Sequence, residues 1–299
     1  MNAALMGSVS SSAAALRGLL RGGLEITGVL GLPEDMAARI SDYASLGSLA
    51  KQAGVPFVPF RKVTEDAVRS FLHDRRPDWL FVIGLSQLVS ADLRGLAPQG
   101  AVGFHPTPLP EGRGRAPVAW TILLDRPAAA NLFFLTDEAD AGDIIAQRAV
   151  PVLPNDYAAD LIARTNVVLE EMAAELAPAF ASGEVPRTPQ DHRRATWYAR
   201  RRPEDGLIDW TQSARDIQRL IRAASRPYPG AFTGHHGQKI VIWRADWTLE
   251  CGGNAAPGTV VEVRDGKPVI QAGRGLVQVV EYETAGPATP VVATGDRLG

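Results

Sequence analysis

Over its first 180 residues the chain alternates runs that suit a buried strand with runs that suit a helix, and this alternation constrains the fold more than any other feature. "ALMGSV" reads as a first strand and "SAAALRGLLRGG" as the helix after it. "LEITGVLGL" is a β-branched apolar run, and "SLGSLAKQAG" is a short helix ended by Gly54. "VPFVPF" is extended, "TEDAVRSFLHDRR" has helical spacing with Thr64 as its expected N-cap, and "PDWLFVIGL" is a buried strand. "GAVGF" makes another strand that ends at His105. A loop, a helix around Trp120, the strand "AANLFFL", the acidic turn "TDEADAGD" and the extended "DIIAQRAVPV" follow. "DYAADLIARTNVVLEEMAAELAPAF" is the longest helical pattern. Parallel strands need crossover helices, so the expectation is an α/β fold, a doubly wound and mostly parallel sheet covered on both faces. Ligands of such sheets bind beyond the carboxyl ends of the strands, where this reading places His105 and the acidic turn.

The pattern changes after Phe180. "ASGEVPRTPQDHRRATWYARRRPEDG" is rich in Pro, Arg and polar residues and reads as an interdomain linker. Beyond it come one amphipathic helix, "WTQSARDIQRLIRAAS", and the short strands "GQKIVIWRADW", "GTVVEVRDGKPVIQAG" and "GLVQVVEYE". Short strands at close spacing with Gly-containing turns predict a small β-barrel. A chain of 299 residues is long for a single core. The expected division is therefore 1–185, a linker over 186–205, and a second domain over 206–299.

Composition removes several function classes. A formal charge of -2 gives no global attraction to nucleic acid or an anionic membrane. Cys251 is the one cysteine, which rules out an intramolecular disulfide and a cysteine metal cluster. The opening segment lacks a basic start, and Ser8 to Ser12 interrupt its apolar run, so it reads as structure rather than a secretory signal. No run approaches the ~18 apolar residues of a membrane span. A cytoplasmic protein without a membrane partner is expected. No G-x-G-x-x-G or P-loop pattern occurs at the first turn, so a dinucleotide or NTP cradle is not indicated. His235 and His236 precede Gly237 in an expected hairpin turn; adjacent side chains there diverge, and no metal site is expected.

The segment "GFHPTPLPEGRGRAPVAW", residues 103–120, carries the chemistry. Three prolines stiffen the chain after His105, and Arg113 and Arg115 add two permanent charges. A strand-end His-Pro, a loop containing Leu-Pro, an Arg-Gly, a helix with Trp and then "DAGDII" about 35 residues later resemble the folate-dependent formyltransferases. The likeness continues through "RPEDGLIDWTQSARDIQRLIRAASRPYPGAFT", "GQKIVIWRADW" and "PGTVV", which resemble the carboxy-terminal domain of the methionyl-tRNA enzyme. The R-G-R-A-P loop before the tryptophan resembles that of an amino-sugar member of the family with the same kind of carboxy-terminal domain.

This resemblance implies a Rossmann-like catalytic domain, an OB-like carboxy-terminal barrel, and N10-formyltetrahydrofolate as formyl donor, with no metal. In that chemistry an amine attacks the formyl carbon, a tetrahedral oxyanion forms, and the folate nitrogen leaves with a proton. The resemblance makes His105 and Asp140 the catalytic pair: an imidazole donates to the oxygen or shuttles the proton, and a carboxylate supports it. It places the pterin against Gln87, Leu88 and Val89 on one side and Thr136, Asp137 and Asp140 on the other. Thr107, Arg113 and Arg115 are the candidates for binding the acceptor. Each arginine has two readings: a fork for an acceptor phosphate or carboxylate, or a partner for Glu111 or an internal acid that holds the loop.

The sequence departs from the family at Gly103, where an Asn amide usually helps hold the formyl oxygen. Three readings stay open: another donor such as Ser86, Gln87 or a water substitutes; the site runs a different reaction, such as hydrolysis of the formyl donor; or the protein binds without catalysing. The stretch "GLPEDMAARISDYASLG" bears on the acceptor. It offers Arg39 as its only base beside Glu34, Asp35 and Asp42, a poor balance for tRNA phosphates. A small amine, above all that of a nucleotide-linked amino sugar, is the expected acceptor.

Overall fold

The computed structural model describes residues 1–250, 252–284 and 292–299; Cys251 lies outside the described residues. The strands of the first unit are β1 (Asn2–Gly7), β2 (Glu25–Gly31), β3 (Phe57–Pro59), β4 (Trp79–Ile83), β5 (Gly100–His105), β6 (Arg113–Gly114), β7 (Ala128–Phe134), β8 (Ile144–Val150) and β9 (Trp197–Tyr198). Interspersed with them are helices α1 (Ser10–Arg21), α2 (Leu46–Ala53), α3 (Asp66–Arg75), α4 (Ala91–Arg94), α5 (Pro117–Leu123) and α6 (Ala158–Ser182). Seven strands form one sheet in the order β3-β2-β1-β4-β5-β7-β8. The first five are parallel, as the alternation predicts, because each crosses over through helical or long connecting segments. β7 and β8 are joined by the short acidic turn and run antiparallel, β7 against β5 and β8 against β7.

Local chemistry accounts for the element ends. Ser45 caps α2 by accepting from the Ser48 amide, and Gly54 closes it at φ 67°, a left-handed conformation in which a Cβ is penalised. For α3 the cap position is Glu65 rather than Thr64; its carboxylate instead takes the Arg61 and Lys62 amides of the preceding turn. Apolar residues of β1, β4, α3 and α4, among them Met6, Leu72, Leu80 and Leu93, form one buried cluster over a face of the sheet.

Met1–Pro117, Pro127–Val152 and Ile162–Ala199 make up this unit. The segment expected as a linker is therefore structural as far as Ala199. Thr188 bridges Ile144, and β9 pairs in parallel with β6, because the backbone of the Pro-rich loop needs partners that its own sequence cannot supply.

The second unit comprises Val118–Arg126, Leu153–Leu161 and Arg200–Gly299. It holds α7 (Ala214–Ala224), capped by Ser213, and strands β10 (Ala231–His235), β11 (Gln238–Thr248), β12 (Val260–Arg264), β13 (Lys267–Gln271) and β14 (Leu276–Thr284). These strands make an antiparallel sheet in the order β10-β11-β14-β13-β12. The expected barrel is thus a five-stranded sheet: among the described residues β10 and β12 do not pair to close it. Ile217 and Ile221 of α7 pack with Ile242, Ile270 and Val277 of the sheet in a buried core. Among the described residues no helix is long and apolar enough to cross a membrane.

Candidate active site

His105 ends β5 and is 4% exposed. Its Nε2 lies 2.8 Å from the Gly112 carbonyl. A carbonyl oxygen only accepts, so Nε2 carries the proton and Nδ1 is the nitrogen left for chemistry. Nδ1 stands 3.7 Å from Oδ2 of Asp140. The same Oδ2 accepts the Gly114 amide at 2.8 Å, and the Asp140 carbonyl accepts from Gln190 at 2.9 Å. Asp140 is held at φ 54°, a left-handed conformation that aspartate tolerates better than most residues and that clusters at functional sites. The acidic turn does not simply sit at a neighbouring carboxyl end, as the sequence suggested. β7 runs antiparallel to β5, so the turn leaves beside Ala101, whose carbonyl accepts the Leu135 amide. It folds back until Asp140 reaches the histidine.

The loop after His105 is pinned by polar groups from distant sequence. Asn131, fully buried in β7, donates to the carbonyls of His105 and Thr107. Gln147 of β8 donates to the Leu109 carbonyl at 2.9 Å. Thr196 accepts the Gly112 amide at 2.8 Å, and the Arg113 amide donates to the Thr196 carbonyl at 2.9 Å. These five contacts answer backbone groups that three prolines leave without regular partners.

Two of the expected acceptor ligands belong to this scaffold instead. Thr107 is 1% exposed, and its hydroxyl donates to the Glu111 carbonyl at 2.9 Å. Arg113 is also 1% exposed. Its Nη2 donates to Oε1 of Gln190 at 2.8 Å, its Nη1 lies 3.3 Å from a Glu138 oxygen, and the Trp197 ring stands beside it. Of the two readings for Arg113, the internal one holds. Arg115 is exposed, and Glu111 pairs with Arg194.

The rims expected to hold a heterocycle are built differently. Gln87 accepts the Val63 amide and donates to the Arg61 carbonyl, so its side chain braces a neighbouring turn. Val89 is buried, whereas Leu88 is 78% exposed. Thr136 donates to the Glu138 carbonyl, and Asp137 pairs with Arg94. Arg94 also donates to the Val89 carbonyl at 2.7 Å, and so ties the two rims together.

At Gly103 the space is not left for water. A Cβ there would stand 2.6 Å from Leu135 Cδ2 and 2.9 Å from the Phe133 ring, and Gly103 pairs with Phe133 across the strands. Ser86 is exposed, and the Gln87 amide is committed elsewhere. Neither occupies the position of the family Asn, which is filled by apolar side chains.

Asn131, Gln147, Gln190, Thr196 and Arg94 escaped the sequence reading. Asn131 alone left a signal, a single amide within the apolar run "AANLFFL". The others lie in segments whose polarity suits a surface.

The open α/β sheet thus carries a strand-end histidine, an adjacent carboxylate and a loop tied down by hydrogen bonds. Two family models match this chain, "Formyl transferase" over residues 33–175 and "Formyl transferase, C-terminal domain" over residues 201–290. The chain belongs to the formyl transferase family. Solved structures share the fold. HypX from Aquifex aeolicus in complex with tetrahydrofolic acid superposes with a TM-score of 0.67 at 21% identity, covering 94% of this chain. The chain spans 44% of the length of that protein. An N-formyltransferase from Helicobacter canadensis, in complex with folinic acid and dTDP-3-aminofucose, gives a TM-score of 0.66 at 15% identity and covers 93% of this chain and 99% of its own. Methionyl-tRNA formyltransferase from Clostridium thermocellum gives 0.59 at 15% identity, covering 94% and 99%.

Proposed function

We propose that this protein is an N-formyltransferase that moves a formyl group from N10-formyltetrahydrofolate to the amine of a small acceptor, the amine of a nucleotide-linked amino sugar being the favoured one. The observation that carries the reading is the pair formed by His105 Nδ1 and Asp140 Oδ2 at 3.7 Å, with the proton fixed on Nε2 by the Gly112 carbonyl. A neutral Nδ1 takes the proton released as the amine attacks, and Asp140 stabilises the imidazolium formed. The same Nδ1–H then returns its proton to the departing nitrogen. Leu135 and Phe133 crowd the place an amide at position 103 would take, so on this reading the Nδ1–H of the imidazolium, once formed, is the side-chain donor for the oxyanion.

The donor supplies the activated one-carbon unit. The rims suit it: their side-chain amide and carboxylate are already engaged at Gln87 and Asp137, which leaves main-chain groups and the exposed Leu88 for a flat heterocycle. Exposed Arg115 is the remaining candidate for an acceptor phosphate or carboxylate. Glu34 accepts from Ser45 and Asp35 occupies the neighbouring Arg61, so the 34–42 segment keeps Arg39 as its one base for a phosphate, a shortage that favours a small acceptor over tRNA.

The test is incubation of the protein with the formyl donor, with and without candidate amines. Amine-dependent loss of donor with formylated product is expected. Formate release that needs no amine would replace this reading with hydrolysis. His105→Ala and Asp140→Ala each lower kcat by at least ~10²-fold while the circular dichroism spectrum is retained. Near-normal turnover in both would remove the pair from the chemistry.

A further inference from the structure

The β10–β11 hairpin, well apart in sequence from the residues above, gathers a set of polar atoms that its fold does not use. His235 is 3% exposed, and its Nε2 donates to Oδ2 of Asp296 at 3.1 Å. Its Nδ1 is buried with no partner. Gln238 pairs with His235 across the turn, and its Oε1 is likewise buried with no partner. Two orphaned acceptors beside each other are costly, each about 1–3 kcal/mol.

His236 alters the expected geometry. Adjacent residues of a flat strand project oppositely, but His236 adopts φ 47°, and the two imidazole centroids stand 4.2 Å apart. One ligand atom from each of His235, His236 and Asp296 falls within 4.8 Å of the others. Asp296 is itself anchored: its carboxylate accepts the Ala293 amide at 2.8 Å, and its carbonyl accepts the Val260 amide at 2.8 Å.

We propose that His235, His236 and Asp296 bind a divalent cation of the zinc type, with water completing the shell. Two imidazoles and a carboxylate are the donor set such an ion takes, with bonds of about 2.0–2.2 Å. Tetrahedral ligands at those lengths stand roughly 3.3–3.6 Å apart. His235 and Asp296 are already near that spacing, and His236, exposed on the turn, closes the rest. Binding at His235 Nε2 moves that ring's proton to Nδ1. Nδ1–H then becomes a donor, and rotation of the Gln238 side chain on the paired strand brings its Oε1 up as the acceptor a metal-bound histidine requires. One event thus satisfies both orphans. The ion links the 292–299 segment to the β10–β11 turn.

The experiment is a Zn²⁺ titration of the untagged full-length chain against a chromophoric chelator, with Co²⁺ as a spectroscopic probe. One ion per chain is expected, with intense visible absorption for the Co²⁺ form. His236→Asn keeps the left-handed turn, and Asp296→Asn keeps the contact with Ala293; each weakens binding more than ~10-fold and abolishes the Co²⁺ signature. Gln238→Ala weakens it by roughly 10-fold, and His73→Gln, on an exposed helix, leaves it unchanged. Absence of stoichiometric binding, or equal affinity in wild type and His236→Asn, overturns the assignment. His236 is on the surface, so its variant carries the test even if Asp296→Asn does not fold.

Discussion

The loop 105–116 and the rim made by residues 84–94 with 135–138 flank the same histidine but are built from opposite materials. The loop is fixed by two buried amides and a buried guanidinium, Asn131, Gln190 and Arg113, with the exposed Gln147 adding one contact. The rim is fixed by an apolar infill over Gly103 and by an ion pair whose acid, Asp137, is 87% exposed. Buried polar contacts are strong because each lost partner strands another, whereas exposed pairs are screened by water. The side that positions the histidine is therefore rigid, and the side expected to admit and release the donor is weakly held.

The largest expected effect is at Arg113. Arg113→Ala strands the Gln190 oxygen and leaves a void, and should cost at least about 3 kcal/mol, read as the midpoint of urea unfolding. Arg113→Lys should not rescue it, because an ammonium cannot reproduce the fork toward Gln190 and Glu138. A loss below ~1 kcal/mol would erase the contrast between the two regions.

Gly103→Asn comes second. The added side chain meets Leu135 and the buried Phe133 ring and should destabilise by about 1–3 kcal/mol. The Leu135 contact is the far end of a flexible side chain, so Gly103→Asn combined with Leu135→Ala should be less unstable than the two losses summed. That coupling, measured in a double-mutant cycle, sharpens the claim that Leu135 holds the Asn position. Strict additivity would show that the two do not meet.

Arg94→Ala is the smallest. With its acid exposed, stability should change by less than ~1 kcal/mol. KM for the formyl donor should rise roughly three- to tenfold with kcat nearly unchanged, because the rims lose their link but the histidine does not. A fall in kcat without a change in KM would place Arg94 with the rigid side.

What the sequence revealed follows the same division. Strands and helices set by local periodicity were legible, from β1 and α1 at the start to α6, and so were His105 and Asp140. The supports of the loop were not. Asn131 reaches Thr107 across 24 residues and Gln190 reaches Arg113 across 77, and no local pattern encodes such a pairing. The direction of β7 was hidden because an antiparallel strand and a parallel one share the same apolar run. The segment 186–199 read as a linker since its polar side chains serve another segment's backbone. The closeness of the His235 and His236 rings was hidden because it turns on one dihedral angle, φ 47° at His236.

The pairing of β6 with β9 also has a consequence for synthesis on the ribosome. The seventh strand of the sheet is complete at Val150, but the partner that fixes the loop after His105 arrives only with Tyr198, 48 residues later. At roughly 5–20 residues per second, the emerging chain spends about 2–10 s with its sheet made and the Gly112–Gly114 end of its histidine loop unpaired. A nascent chain halted between these two points should carry a protease-sensitive segment near Pro110, and release past Tyr198 should protect it.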